Sequence, residues 1–181
     1  MKTRIWGVVL FCLLGLALAG CGYTTRSLIA GKYKTINIAP FANKIELTLE
    51  SDSNSKYKVY RPMLETEVTR AVINKFLSDG NVKPVVEDMS DLALKGELVE
   101  FRRDPLRYTS SDDVEEYRIN IVVNMSLWDK KNNKLSWEEK NFSGSATYFV
   151  TGTQAKTEEQ AVQDAIKDLS RRIVERVVEQ W

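Results

Sequence analysis

The order of patterned segments predicts an α+β fold: a single sheet of about four strands, in the order β-α-β-β-β-α, with two helices packed on one face. Three observations carry this expectation. Residues 115–129 (EEYRINIVVNMSLWD) alternate apolar and polar side chains, the signature of a strand with one buried and one polar face. Residues 61–80 and 157–178 instead space their apolar residues three and four apart, as a one-sided helix does. The segments after residue 90 are joined by short polar turns, which favours an antiparallel meander. A one-sided sheet and two one-sided helices bury their apolar surfaces together when both helices share one sheet face. The other face then stays polar and accessible, or meets a partner.

The elements follow in order. Lys2 and Arg4 precede an apolar run, Ile5 to Leu18, broken only by Gly7 and Gly15, and small residues lead to Cys21. This is the layout of a secretory leader, and the run is shorter than the ~20 apolar residues of a spanning helix. Leu18-Ala19-Gly20-Cys21 resembles the bacterial lipobox, in which the cysteine is acylated and becomes the first residue. The chain therefore divides into a removed signal peptide (1–20), an acylated N-terminus and tether (21–33), and one domain (34–181). KTINIAPF is a short first strand stopped at Pro40, and a long polar loop covers residues 44–60.

RPMLETEVTRAVINKFLSDG places Leu64, Val68, Val72 and Phe76 on one helical face with Ile73 and Leu77 beside them; Pro62 suits its first turn and Gly80 its end. DLALKGELVEF is a strand that runs through FRRDPLRY into a proline turn. In residues 115–129, Tyr117, Ile119, Ile121, Val123, Met125 and Leu127 take the buried face. After the hairpin turn DKKNNK, the apolar phase of LSWEEKNFSGSATYFV changes from odd (Leu135, Trp137) to even (Phe142, Ala146, Tyr148), which predicts a bulge near Glu139–Asn141. Thr157 and Gln160 form a capping box that opens the last helix. Its stripe of Val162, Ile166, Leu169, Ile173 and Val177 contributes roughly 8–15 kcal/mol of burial as an upper bound.

Composition limits the chemistry. Without histidine the chain has no Ser-His-Asp or Cys-His nucleophile and no His-bearing zinc site. Loss of Lys2 and Arg4 with the leader leaves 24 basic against 25 acidic residues, a net charge of −1. That balance argues against nucleic-acid binding, which rests on a basic footprint. Cys12 leaves with the leader and Cys21 is acylated, so no disulfide is expected and packing alone holds the domain together. Acidic clusters at Asp112, Asp113, Glu115 and Glu116 and at Glu87, Asp88 and Asp91 read as solvated turns or strand entries, and a carboxylate pair alone is a weak catalytic motif. The S-x-x-K match at Ser53–Lys56 lacks its companion K-T-G and is noise. No cofactor or metal is expected.

Several of these segments together resemble one family. CGYTTRS after the lipobox, INIAPFAN, LKGELVEF, YRINIVVNMSLWD, SGSATYFV and the closing EEQAVQDAIKDLSRRIVERVVEQW are similar, in order, to the lipopolysaccharide-assembly lipoprotein family LptE. The polar loop is longer than that pattern leads one to expect. The resemblance implies a non-enzymatic outer-membrane lipoprotein, palmitate-type chains on Cys21, facing the periplasm. It also implies a partner, the β-barrel LptD, which such proteins plug while lipopolysaccharide passes to the outer leaflet. Lipopolysaccharide is anionic, so the candidate contacts are Arg102, Arg103 and Arg107 and the hairpin lysines Lys130, Lys131 and Lys134. Solvated loop-tip charge is the competing reading of both clusters. Rival functions are a scaffold for another envelope complex and a carboxylate-dependent cell-wall hydrolase.

Overall fold

Six strands, two of them only two residues long, form one mixed sheet in a computed structural model that describes residues 31–45 and 61–179. The leader, Cys21, most of the polar loop and the Ser53–Lys56 match lie outside the described residues. In chain order the elements are β1 (Thr35–Ile38), β2 (Ala42–Asn43), α1 (Leu64–Asp79) and β3 (Lys83–Pro84). A 3₁₀ turn (Glu87–Met89) precedes β4 (Leu92–Tyr108), β5 (Val114–Asp129), β6 (Lys134–Phe149) and α2 (Glu158–Val178). The sheet order is β3-β1-β4-β5-β6, with β2 also on β4. β1 runs parallel to β3 and β4, β2 is parallel to β4, and β4-β5-β6 is the expected antiparallel meander.

The sheet thus has six strands rather than four because two pairings are too short to leave a period in the sequence. β2 continues the line of β1 after Pro40, which has no N–H to give a ladder. Backbone N–H groups on either side, Ala39 to Leu94 O and Lys44 to Leu98 O, keep the segment on β4.

β4 corrects the expected proline turn. It runs on through Pro105, which lies opposite Tyr117, and the chain reverses only at Thr109–Asp113. Beyond Leu98 neither β1 nor β2 pairs with β4, so among the described residues this length of strand has no neighbour on that side. An edge tolerates a residue without an N–H, and the register slips just after Pro105.

The bulge in β6 lies where the phase change places it. Val123 faces Phe142 while Met125 faces Glu139, and Asn141 takes φ 57° with its N–H on Asn124 Oδ1 at 2.9 Å. A second slip, between Leu127 and Trp128, sets Leu135 opposite Trp128 on the outer face. Leu135 is therefore exposed, not a partner of Trp137 on the inner side.

Both helices cover the inner face and pack on each other. α1 buries Leu64, Val68, Val72 and Phe76 and ends at Gly80, whose left-handed backbone (φ 78°) lets its N–H reach Phe76 O. Ile73, expected beside that stripe, packs against the core, whereas Leu77 points to solvent. In α2 the Thr157–Gln160 capping box is present, and all five stripe residues are buried. Arg171 pairs with Asp168 and Glu175, and Arg176 with Glu139 on β6. One apolar cluster joins the inner faces of the sheet to both helices.

Tyr33 is buried and its hydroxyl donates to Asp129 at the end of β5, a carboxylate with no exposed surface. Asn132 in the following turn donates to the same carboxylate through its backbone N–H (3.0 Å) and its side chain (2.6 Å). Burial alone would raise the pKa of Asp129, but these donors outweigh it and hold the group at about 2. A depressed carboxylate stabilises the fold above its unfolded pKa, and that stability is lost as pH falls through its folded pKa. Asp129→Asn is expected to cost about 1.5–3 kcal/mol at pH 7, the range for a hydrogen bond to a charged group. Urea titrations should show the gap from the unchanged protein closing as pH falls from about 4 to 2.

Candidate functional site

The sheet face that no described element covers, called the uncovered face, is built from alternate residues of β4, β5 and β6, since neighbouring side chains on a strand point to opposite sides. Its centre is polar and tied together. Arg102 reaches Asp104 (Nε, 2.8 Å) and Glu100 (Nη1, 3.1 Å), and Asn120 Nδ2 donates to Asp104 at 2.7 Å. The carboxylate of Asp104, ahead of the opposing effect of burial, raises the pKa of Arg102 above its usual value. Toward the β5–β6 hairpin the face becomes partly apolar: Ala93, Trp128 and Leu135 lie in one row across the three strands. An open groove of about 320 Å³ runs here between Lys95, Asn124, Ser126, Trp128, Leu135 and Glu138. A wider one of about 510 Å³, lined by Glu97, Val99, Val122, Ile45 and Asn141, lies beside it toward β2.

The three arginines expected to act together are separated. Arg102 lies on the uncovered face, whereas Arg103, one residue on, points to the helix side. There it pairs with Glu158 at the start of α2 (2.5 Å) and lies over the Tyr117 ring at 4.8 Å. Burial works against the charge of Arg103, yet the Glu158 carboxylate keeps its pKa above the ordinary value. Arg107, more than half exposed, faces Glu116 at 3.7 Å and the Phe149 ring at 5.5 Å. Arg102 and Arg103 are thus engaged within the chain, and Arg107 is the one open to a ligand at this tip.

The lysine hairpin is closer-knit. Lys130 Nζ donates to Glu87 O, and Lys131 pairs with Asp91 at 3.0 Å while lying 5.8 Å from the Tyr33 ring. Lys134 is exposed. Lys32 and Lys34 stand at the same end, where Lys34 N–H donates to Asp91 Oδ2 at 2.7 Å. Those donors hold the Asp91 carboxyl below its usual range. Of the remaining candidate carboxylates, Glu87 and Asp88 sit in the 3₁₀ turn and Glu115 in β5. Asp112 and Asp113 are exposed in the β4–β5 turn, Asp112 with φ 64°, and Glu116 is the partner of Arg107. Among the described residues no helix is long and apolar enough to cross a membrane.

The family model described as "LptE: Lipopolysaccharide-assembly" matches residues 33–181. The chain belongs to the LptE family. Its first matched residue is Tyr33, the buried partner of Asp129. No curated protein matches the chain. Among solved structures, a hypothetical protein from Chlamydia trachomatis is similar at 14% identity and TM-score 0.52, over 80% of this chain and 95% of that one. A minor lipoprotein from Acinetobacter baumannii is similar at 15% identity and TM-score 0.45, over 81% and 91%. A lipoprotein B from Nitrosomonas europaea is similar at 15% identity and TM-score 0.46, over 81% and 83%.

For this LptE-family chain, sequence reasoning missed the apolar row on the uncovered face. Trp128 carried the signal, since it stands on the polar phase of β5. The register slip that brings Leu135 beside it leaves no mark in the pattern.

Proposed function

We propose that the mature chain starts at an acylated Cys21 and is held at the periplasmic side of the outer membrane. There it joins the lipopolysaccharide-translocating β-barrel LptD as a non-enzymatic plug. The observation that supports this reading is the breadth of the uncovered sheet face, which spans β4, β5 and β6 and ends in the Ala93–Trp128–Leu135 row. The partly apolar Trp128–Leu135 patch bordered by mutually satisfied polar groups matches the apolar core and polar rim of a specific protein interface. Membership of the LptE family supports the same reading. The ionic networks of Arg102 and Arg103 make them poor lipopolysaccharide ligands, because a phosphate would have to displace carboxylates already in place. Arg107 and Lys134 are the proposed phosphate contacts, since both are exposed at opposite ends of the sheet.

Mild-detergent extraction of the tagged full-length protein from its own membranes tests the assignment. A large β-barrel should co-purify, and Ser126→Arg should weaken its recovery at least tenfold without lowering the melting temperature. Arg107→Ser should leave barrel recovery intact and reduce retention of lipopolysaccharide. Recovery of a complex without a barrel would make the chain a scaffold of another envelope machine.

A further inference from the structure

The end of the sheet at which residue 31 enters carries exposed apolar side chains among lysines. Met89, Val86 and Leu77 are 72%, 67% and 62% exposed; Met63 at the far end of α1 is 64% exposed, and Leu106 and Tyr108 at the β4–β5 tip are 40% and 51%. Scattered single apolar residues on a surface need no explanation, but the first three stand on segments that meet at one end of the sheet. Met89 O accepts from Thr35 Oγ1 at 3.1 Å, Thr35 lies opposite Lys83, and Lys83 N–H bonds Lys34 O at 2.9 Å. Val86 begins the 3₁₀ turn that Lys130 holds, and Leu77 stands in the last turn of α1, six residues before Lys83. Lys32, Lys83 and Lys134 are exposed around this group; Asp79, Glu87 and Asp88 are the exposed acids nearby.

We infer that this end is a docking surface for the phospholipid bilayer that holds the acyl chains on Cys21. The inference rests on the acylated-anchor reading above. Leu77, Val86 and Met89 seat at the headgroup level, and Lys32 and Lys83 extend their stems outward to lipid phosphates. Long lysine stems lie on apolar surface while their charge reaches a polar layer, the combination that suits a membrane interface. The direction of the anchor supports the choice of occupant. Tyr33 is fixed to this end by Asp129, and the twelve residues back to Cys21 span at most about 40 Å. An anchor tied there keeps this end concentrated at the bilayer. Beside the acyl anchor, this second, weaker contact holds this end at the headgroups, with the β4–β5 tip directed away from them.

The test uses the acylated full-length protein in vesicles of phosphatidylethanolamine and phosphatidylglycerol containing headgroup-spin-labelled lipid. Acylation blocks Cys21, so Met89→Cys supplies a single thiol for a fluorophore, and Tyr108→Cys supplies the same probe at the opposite tip. Quenching at position 89 should exceed that at 108 at least threefold. Adding Leu77→Ser and Val86→Ser should bring position 89 down to the level of 108, with an unchanged melting temperature. Equal quenching at both positions in vesicle-bound protein overturns the docking while leaving the acyl anchor standing. Protein that fails to float with the vesicles overturns the anchor and the docking together. A probe at 89 that is shielded from aqueous iodide in native membranes but not quenched by lipid assigns this end to a protein partner, and also overturns it.

Discussion

Ile121→Asp should leave the domain unfolded at 25 °C, while Asn124→Asp, three residues along the same strand, should shift its melting temperature by no more than a few degrees. Ile121 has no exposed surface and lies between Phe101 and Gly144 on the neighbouring strands. Removing it forfeits roughly 2–5 kcal/mol of packing. The carboxylate put in its place either ionises without a partner or takes up a proton, costing several kcal/mol more. Together these approach the whole 5–15 kcal/mol of a typical domain. Asn124 lies on the uncovered face and accepts from Asn141 N–H through Oδ1, which aspartate can also do. Asn120 is a worse control than its place in the alternation implies, because its side chain donates to Asp104 and an aspartate there would face a second carboxylate. Circular-dichroism melts of the two variants decide the point. Comparable losses would mean that β5 is covered on both faces.

Gly144→Ala is expected to lower stability by about 3 kcal/mol, the upper part of the range for overpacking, and the melting temperature by about 10 °C. Gly144 is where β6 passes directly beneath α2. A Cβ built there would stand 2.5 Å from both Cα and N of Leu169, so the helix backbone itself has to move. That helix carries its buried stripe and the ion pair from Arg176 to Glu139, which would shift with it. Gly96→Ala is the informative contrast. Its Cβ would meet the Phe41 ring, at 2.5 Å from Cδ1, and a ring can turn where a helix backbone cannot. The loss at Gly96 should be smaller, and similar losses at the two glycines would show that α2 is not the rigid neighbour.

Much of this architecture could be read along the chain because it is local. The alternation in β5, the stripes of α1 and α2, the Thr157–Gln160 box and the glycine stop at Gly80 each depend on residues within one or two turns of each other. Even the β6 bulge was legible, since one extra residue reverses the apolar phase after it. The lack of histidine, the near-neutral charge and the lipobox pattern were likewise properties of residue type and spacing. The tertiary structure decided what depends on partners far away in sequence. Tyr33 and Asp129 are 96 residues apart, and neither pattern hints that the start of the domain is fastened to the β5–β6 hairpin. Pro105 looks like a turn until the pairing of β4 with β5, which sets it opposite Tyr117, shows that the strand runs on through it. Arg102, Arg103 and Arg107 form one basic motif in the sequence, but the pleat sends the first two to opposite faces, where Glu100 and Asp104 of the same strand occupy Arg102 and Glu158 of α2 occupies Arg103. Leu135 joins Trp128 on the uncovered face through a register slip that only pairing with β5 can set. Periodicity therefore determined which elements form and which face each one buries, while strand register, contributed by neighbours distant in the chain, decided which charges remain open to a ligand and where the uncovered sheet turns apolar.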